Sequence, residues 1–345
     1  FFFKQKTAYE IRPRDWSSDV CSSDLWKCKP SEVVFTSGGT ESNNAALAGA
    51  VRALLARGRH VIASPVEHPA VLGALKHLER FDRIEVAWLP VDPEGRVAPD
   101  DVARAMRPDT ILVSVMAANN EIGTLQPVAE IGTLCRARGV VFHTDAVQVF
   151  GKEPFRDIHQ FNADLVSVCA HKFHGPKGAG ALFVRSPFQP VPFHMGGAQE
   201  NEHRGGTENL PAIVGHVEAF RRFVLEPVFP AERLRCLTER LAARLADIPG
   251  VVRRSPVDRR LANTVAFTVD GCDSIALLAG LDLEGVCASS GSACSAGSLE
   301  PSHVLRAIGV PDTLANALVR FSLGRRSEEH TSELQSRGLI SYAVF

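Results

Sequence analysis

VVFTSGGTESNNAALAGAVRALLARGRHVIAS, residues 33–64, decides the fold class of this chain. VVFT reads as a short buried strand, SNNAALAGAVRALLARG has the apolar spacing of a helix, and HVIAS begins a second strand. The alternation continues outward through HPAVLGALKHL (helix), ILVSV (strand), VAEIGTLCRARG (helix) and VVFHTDA (strand). Strands interleaved with helices of this length imply βαβ units and a mostly parallel sheet. Ligands of such sheets sit at the carboxyl ends of the strands. Polar clusters fall there repeatedly: SGGTESNN after VVFT, VEH after VIAS, NNEIG after ILVSVMA, and TDAVQ after VVF. From Val217 to Leu245 a charged amphipathic stretch, broken near EPVFPAE, reads as connecting helices. A second unit follows, with strand ANTVAFTV, helix SIALLAGL, the loop ASSGSACSAGS, helix HVLRAIG and finally ALVRFSLG.

The bulk numbers narrow the classes of function. The chain has 345 residues, 45% hydrophobic and 22% charged, enough for one large domain and a smaller one. A formal net charge of -1 without a basic block points away from nucleic acid and anionic membranes. No apolar run approaches a membrane span and no signal peptide is recognisable, so a cytoplasmic location follows by elimination. The 8 cysteines are scattered without C-x-x-C pairs, which argues against a disulfide framework and a zinc knuckle. Histidines 68, 143, 171 and 174 lack metal-ligand spacing, so no metal is expected.

Both ends read as foreign to the fold. Lys4–Leu25 and Arg326–Phe345 resemble translated sequencing-adapter DNA, because KQKTAYEI and ISYAVF can be encoded by complementary strands, as can DWSSDVCSS and RSEEHTSELQS. Residues 1–25 and 326–345 are therefore expected to be non-native tails. The native part is expected to divide into a large domain, 26–220, and a small C-terminal domain, 221–325, as a gene fragment lacking native sequence at both ends.

AHKFHGPKGAGALFV places Lys172 after the strand DLVSV, in a turn rich in glycine and proline. A lone loop lysine is usually a solvated charge. Here HTDAVQ sets an aspartate at a strand end 27 residues earlier, and that pairing suits pyridoxal 5'-phosphate (PLP). Lys172 would form the Schiff base, Asp145 would pair with the pyridinium nitrogen, and Gln148 would bond the ring phenolic oxygen. Lys177 reads as a turn residue. SGGTESNN offers backbone N–H groups and the Thr40 hydroxyl to an anion at a helix N-terminus, the plainer reading being an N-cap by Thr40 or Ser42. His68 is either structural or stacked on the cofactor ring.

SGGTESNN, VEHPAVL, NNEIGTLQP, HTDAVQVFGK, AHKFHGPKG, RGGTEN, SSGSACSAG and RFSLGR occur in the order and spacing of the cysteine desulfurases, a group of the class V aminotransferases, and the resemblance covers Ser31–Arg325. It implies an α/β, aspartate-aminotransferase-like PLP-dependent transferase fold, with a mostly parallel seven-stranded sheet in the large domain and a smaller C-terminal α+β domain. It also implies phosphate contacts from Thr40 and His171, with Thr207 reaching in from the other subunit of a homodimer. His68 would stack on the ring and handle protons, and Asn120 and Arg320 would hold the carboxylate of L-cysteine. Cys169 departs from the family, standing where many members carry a serine, so one phosphate hydroxyl is lost or weakly replaced. A second departure is the absence of the family's N-terminal strand and loop.

Cys294 lies in SSGSACSAGS, too small and flexible a segment for a core, where a thiolate could take sulfur from the substrate and carry it away. Cys28, Cys135, Cys236, Cys272 and Cys287 sit in helical or strand patterns and read as structural. The expected reaction converts L-cysteine to L-alanine, leaving a persulfide on Cys294 for an acceptor protein such as an iron–sulfur scaffold, or for tRNA thiolation. Competing readings are a selenocysteine lyase, another class V aminotransferase, and a truncated product that binds PLP without turnover.

Overall fold

The computed structural model describes residues 22–291, 300–325 and Ser327. In chain order the large unit contains α1 (Ser22–Trp26), β1 (Val33–Thr36), α2 (Gly39–Leu54), β2 (His60–Ala63), α3 (Pro69–Asp82), β3 (Glu85–Trp88), α4 (Pro99–Ala105), β4 (Thr110–Ser114), α5 (Val128–Ala137), β5 (Val141–Asp145), β6 (Leu165–Cys169), β7 (Gly180–Val184) and α6 (Leu210–Phe223). The small unit contains α7 (Ala231–Ala246), β8 (Val251–Arg253), β9 (Thr264–Val269), α8 (Ser274–Leu283), α9 (His303–Ala307), α10 (Asp312–Ala315) and β10 (Leu318–Ser322).

Seven strands form one sheet in the order β1-β7-β6-β5-β4-β2-β3, and three form an antiparallel sheet in the order β10-β9-β8. In the large sheet only β7 runs against its neighbours, pairing antiparallel with both β1 and β6. The other six strands therefore point one way, and their carboxyl ends share one edge. Every residue of β4, β5, β6 and β7 is buried, as expected of strands covered on both faces.

One face packs under α2 and α3 through Leu47, Val51, Leu75 and Leu78. The opposite face is an aromatic cluster in which Phe220 of α6 meets Trp26, Phe150, Phe155 and Phe173 at centroid distances of 5.2–5.9 Å. Such pairs each add about 0.5–1.5 kcal/mol beyond area burial. Phe173 is the neighbour of Lys172, so this cluster also fixes the turn that carries the lysine.

The expected helices and strands are present, and the break expected between Val217 and Leu245 falls between α6 and α7. Several short elements escaped the sequence reading. β3 has no buried residue, α4 spans only 7 residues, α10 only 4, and β8 only 3. Each is too short or too exposed to carry a periodic signal.

Candidate active site

The loop after β1 turns sharply into α2, and glycine makes this possible. Gly38 has φ +152°, where a side chain is strained, and a Cβ on Gly180 of β7 would lie 2.7 Å from the Gly38 Cα. Ser37–Glu41, His171, Lys177 and Gly178 line a cleft of about 320 Å³ here. The N-cap expected of Thr40 or Ser42 is not formed. Gly38 is the cap residue without a side-chain bond, because the Ser42 hydroxyl bonds Thr36 Oγ1 at 2.7 Å and the carbonyls of Gly38 and Ala181 at 3.1 Å. The first N–H groups of a 16-residue helix thus face the cleft without a side-chain cap, a setting suited to an anion.

Glu41 braces this loop from behind. It accepts from Ser37 N at 2.8 Å and from Arg204 Nε at 2.9 Å. Burial alone would raise its pKa, but the bonds from Arg204 and Ser37 outweigh it and hold the carboxyl below its ordinary value. His171 approaches from the β6–β7 turn with Nδ1 2.9 Å from Cys169 Sγ. Burial, then the charges of Lys172 and Lys177, lower the pKa of His171, whereas burial raises the Cys169 thiol.

Asp145 ends β5 and is 5% exposed. Its Oδ2 accepts from Asn43 Nδ2 at 2.6 Å and its Oδ1 from Val147 N at 3.0 Å, leaving no cation bonded to it among the described residues. Lys172 lies on the adjacent strand end, in the 3-10 turn Ala170–Phe173, which His174 closes at φ 66°. His68 caps α3, its Nδ1 accepting from Ala70 N at 3.1 Å, so the neutral ring carries its proton on Nε2. Burial lowers the His68 pKa; Asp145 opposes this and Lys172 adds to it, so the three expected residues share one electrostatic environment.

At the far rim, Arg320 of β10 donates from Nη1 to the Asn120 carbonyl and from Nη2 to Ser289 Oγ at 3.3 Å, while its buried Nε has no hydrogen-bond partner among the described residues. Asn119, not Asn120, holds this loop, accepting from Glu121 N and Ile122 N at 2.9 Å. Thr207 is exposed and does not line the cleft of Thr40 and His171. Cys294 lies outside the described residues. Two cysteines read as structural are surface residues: Cys236 is exposed on α7, and Cys287 is exposed in the segment after α8, off any helix or strand. Cys135 is buried, its thiol pushed up to about 12 by desolvation and Asp164.

Sequence reasoning missed four contributors. Asn43 sits one helical turn into α2, within the SGGTESNN cluster but with no role assigned to it from the sequence. Glu67 precedes His68 and is wholly buried; Met116 N donates to one oxygen at 2.7 Å, the other has no partner among the described residues, and burial drives its pKa well above the ordinary value. The Glu41–Arg204 pair joins residues 163 apart in sequence. Lys152 donates to Gln148 Oε1 from a buried position.

Among the described residues no group of His, Cys, Asp and Glu could hold a metal, and no helix is long and apolar enough to cross a membrane. The family model for class-V aminotransferases matches residues 23–333. Cysteine desulfurase IscS of Dictyoglomus turgidum is 46% identical over 297 residues, covering 86% of this chain and 75% of that protein. The Escherichia coli protein of the same name is 43% identical over 309 residues, covering 89% and 76%. Among solved structures, a NifS-like protein superposes with a TM-score of 0.84 at 33% identity, covering 93% of this chain and 85% of that one. A structure described as SspA in complex with cysteine gives 0.76 at 35% identity, covering 89% and 85%. A site with its acid, lysine and histidine beyond the carboxyl ends of β5, β6 and β2 thus sits in a chain that belongs to the class-V aminotransferase family, as a cysteine desulfurase.

Proposed function

We propose that this desulfurase works on L-cysteine with PLP carried by Lys172, and that the observation favouring this is Asp145 and Lys172 at the ends of paired strands beside an uncapped helix N-terminus. The residues fit the cofactor. Asp145 is a buried carboxylate bonded only by neutral donors, as a pyridinium nitrogen requires, and the cleft of Thr40 and His171 suits a phosphate. Gln148 would face the phenolic oxygen and Thr207 would complete the phosphate site of a partner copy in a homodimer. When bound, PLP supplies an electron sink for charge developing at the substrate α carbon.

The chain's own groups then have distinct tasks. Arg320, with one buried N–H unpaired, and Asn120 would orient the substrate carboxylate. The Lys172 amine would take the α-proton, and the Nε2–H of His68 would serve proton exchange with the bound substrate. The Cys294 thiolate would attack the substrate sulfur; the new S–S bond forms as the Cβ–S bond breaks, its electron pair staying on carbon to be protonated as alanine. The persulfide would serve an acceptor such as an iron–sulfur scaffold protein or tRNA thiolation, in the cytoplasm. The cysteine in the SspA complex supports the substrate. We assign the native chain to residues 26–325, divided at 220.

The test is a visible spectrum of the purified protein with PLP, followed by L-cysteine and measurement of alanine and sulfide. A cofactor band that responds to cysteine and yields both products is expected. Lys172→Ala should lose the band, and Cys294→Ala should keep it while losing sulfur release. A Cys294→Ala protein with full sulfur release would remove that residue from the mechanism.

A further inference from the structure

The turn after β5 contains a buried lysine that the reaction outlined above does not use. Lys152 is 7% exposed, its amine lies 5.9 Å from the centroid of the Phe229 ring, and among the described residues no carboxylate pairs with it. The charged groups that act on it are both cations, Lys172 and Arg320; with burial as the main cause, they lower its pKa to about 7. Placing an amine here opposes stability, and a methionine of similar length would fill the space without that penalty. Among the described residues its side chain hydrogen-bonds Gln148 Oε1.

That bond has a direction. With its pKa lowered to about 7, the Lys152 amine is protonated on the acid side of neutrality, where it donates and does not accept, whereas a glutamine amide has one accepting oxygen and one donating nitrogen. In that form Lys152 engages the oxygen, as its bond to Oε1 shows, and the amide is set with Nε2 turned away. No described residue accepts from that Nε2. The turn is itself fixed by backbone bonds from Val149 N to Ala146 O at 2.9 Å and from Lys152 N to Val149 O at 3.0 Å, so the two side chains meet across one turn.

We propose that Lys152 is a positioning residue: by occupying the oxygen of Gln148 it leaves only an N–H to face the phenolic oxygen of the cofactor ring, whose anionic form that N–H stabilises. This rests on the reading of Gln148 as a PLP contact.

The test is a pH titration of the visible absorption of the PLP-loaded protein, run as a double-mutant cycle on Gln148→Ala and Lys152→Met with Lys152→Gln alongside. Lys152→Met should raise the titration midpoint by about one pH unit, the scale of one hydrogen bond to a charged group. Lys152→Gln, which keeps a neutral donor, should return it toward wild type. Gln148→Ala with Lys152→Met should match Gln148→Ala alone. An unchanged midpoint in Lys152→Met overturns the proposal. So does an equal increment in the Gln148→Ala background, which would mean that the lysine acts by its own charge. Should the methionine protein not fold, the same cycle with Lys152→Gln decides, since a shift that persists without Gln148 is again fatal. A wild-type protein that takes up no PLP would overturn the cofactor reading and this inference together, an outcome separate from a normal band with unmoved midpoints.

Discussion

Replacing Cys169 by serine should tighten PLP binding. Cys169 is 1% exposed at the end of β6, its Sγ would be 3.9 Å from a Cβ built on Gly38, and its Cβ 3.5 Å from one on Gly39, so it sits directly behind the phosphate loop. It also lies 2.9 Å from His171 Nδ1, and its raised pKa keeps it a neutral thiol, which is a weak donor. A hydroxyl at the same place could reach either the His171 ring or the phosphate. Hydrogen bonds to charged groups contribute about 1.5–3 kcal/mol, and a thiol already supplies part of that. A net gain of about 1.4 kcal/mol corresponds to tenfold in affinity. Fluorescence titration of cofactor-free protein with PLP would read it directly, and Cys169→Ala would supply the opposite sign. If serine left the dissociation constant unchanged or weakened it, the position would not contribute to the phosphate site, and the thiol would be an ordinary core residue.

Asn43→Leu should leave Asp145 with one donor fewer in a buried setting and weaken PLP binding roughly tenfold, which a fluorescence titration with PLP checks. Arg204→Ala strips the buried Glu41 carboxylate of its cation and should destabilise the protein by about 3 kcal/mol in urea unfolding, with Arg204→Lys recovering only part because the bond through Nε is lost. His143 is buried between Ser114 and Ser167 at 2.9 and 3.1 Å and its pKa is lowered to about 3 by desolvation. The folded value lies below the unfolded one, so this contribution is complete above about pH 6.5 and fades as pH falls toward 3. It amounts to on the order of 4 kcal/mol over that window, and His143→Gln should flatten the acid limb of the stability curve; an acid limb identical to wild type would contradict the assignment.

How much of this was legible in the sequence depends on the range over which each interaction acts. The strand ends and helices of βαβ units are local, so residues 33–64 showed their class at once, and the lysine turn and aspartate lay at the ends of short continuous apolar runs, the mark of strands buried on both faces. The order of the sheet is not local. That β7 reverses between β1 and β6 depends on Gly180 passing close to Gly38, and no pattern within either segment reports that approach. The polar supports are hidden for the same reason. Glu41 reads as a first-turn acid of α2 and Arg204 as a charge in a glycine-rich loop, until folding places them 2.9 Å apart. Asn43, Glu67 and Lys152 belong to residue types that usually face solvent; Asn43 lies near the start of α2, and Glu67 and Lys152 lie outside any helix or strand, where no periodicity marks a buried face. What marks them is burial without an ordinary partner: an unpaired Glu67 oxygen, a carboxylate served by neutral donors, a lysine among cations. Stability alone would favour apolar side chains at such places, so polar ones there point to demands made by what the site binds.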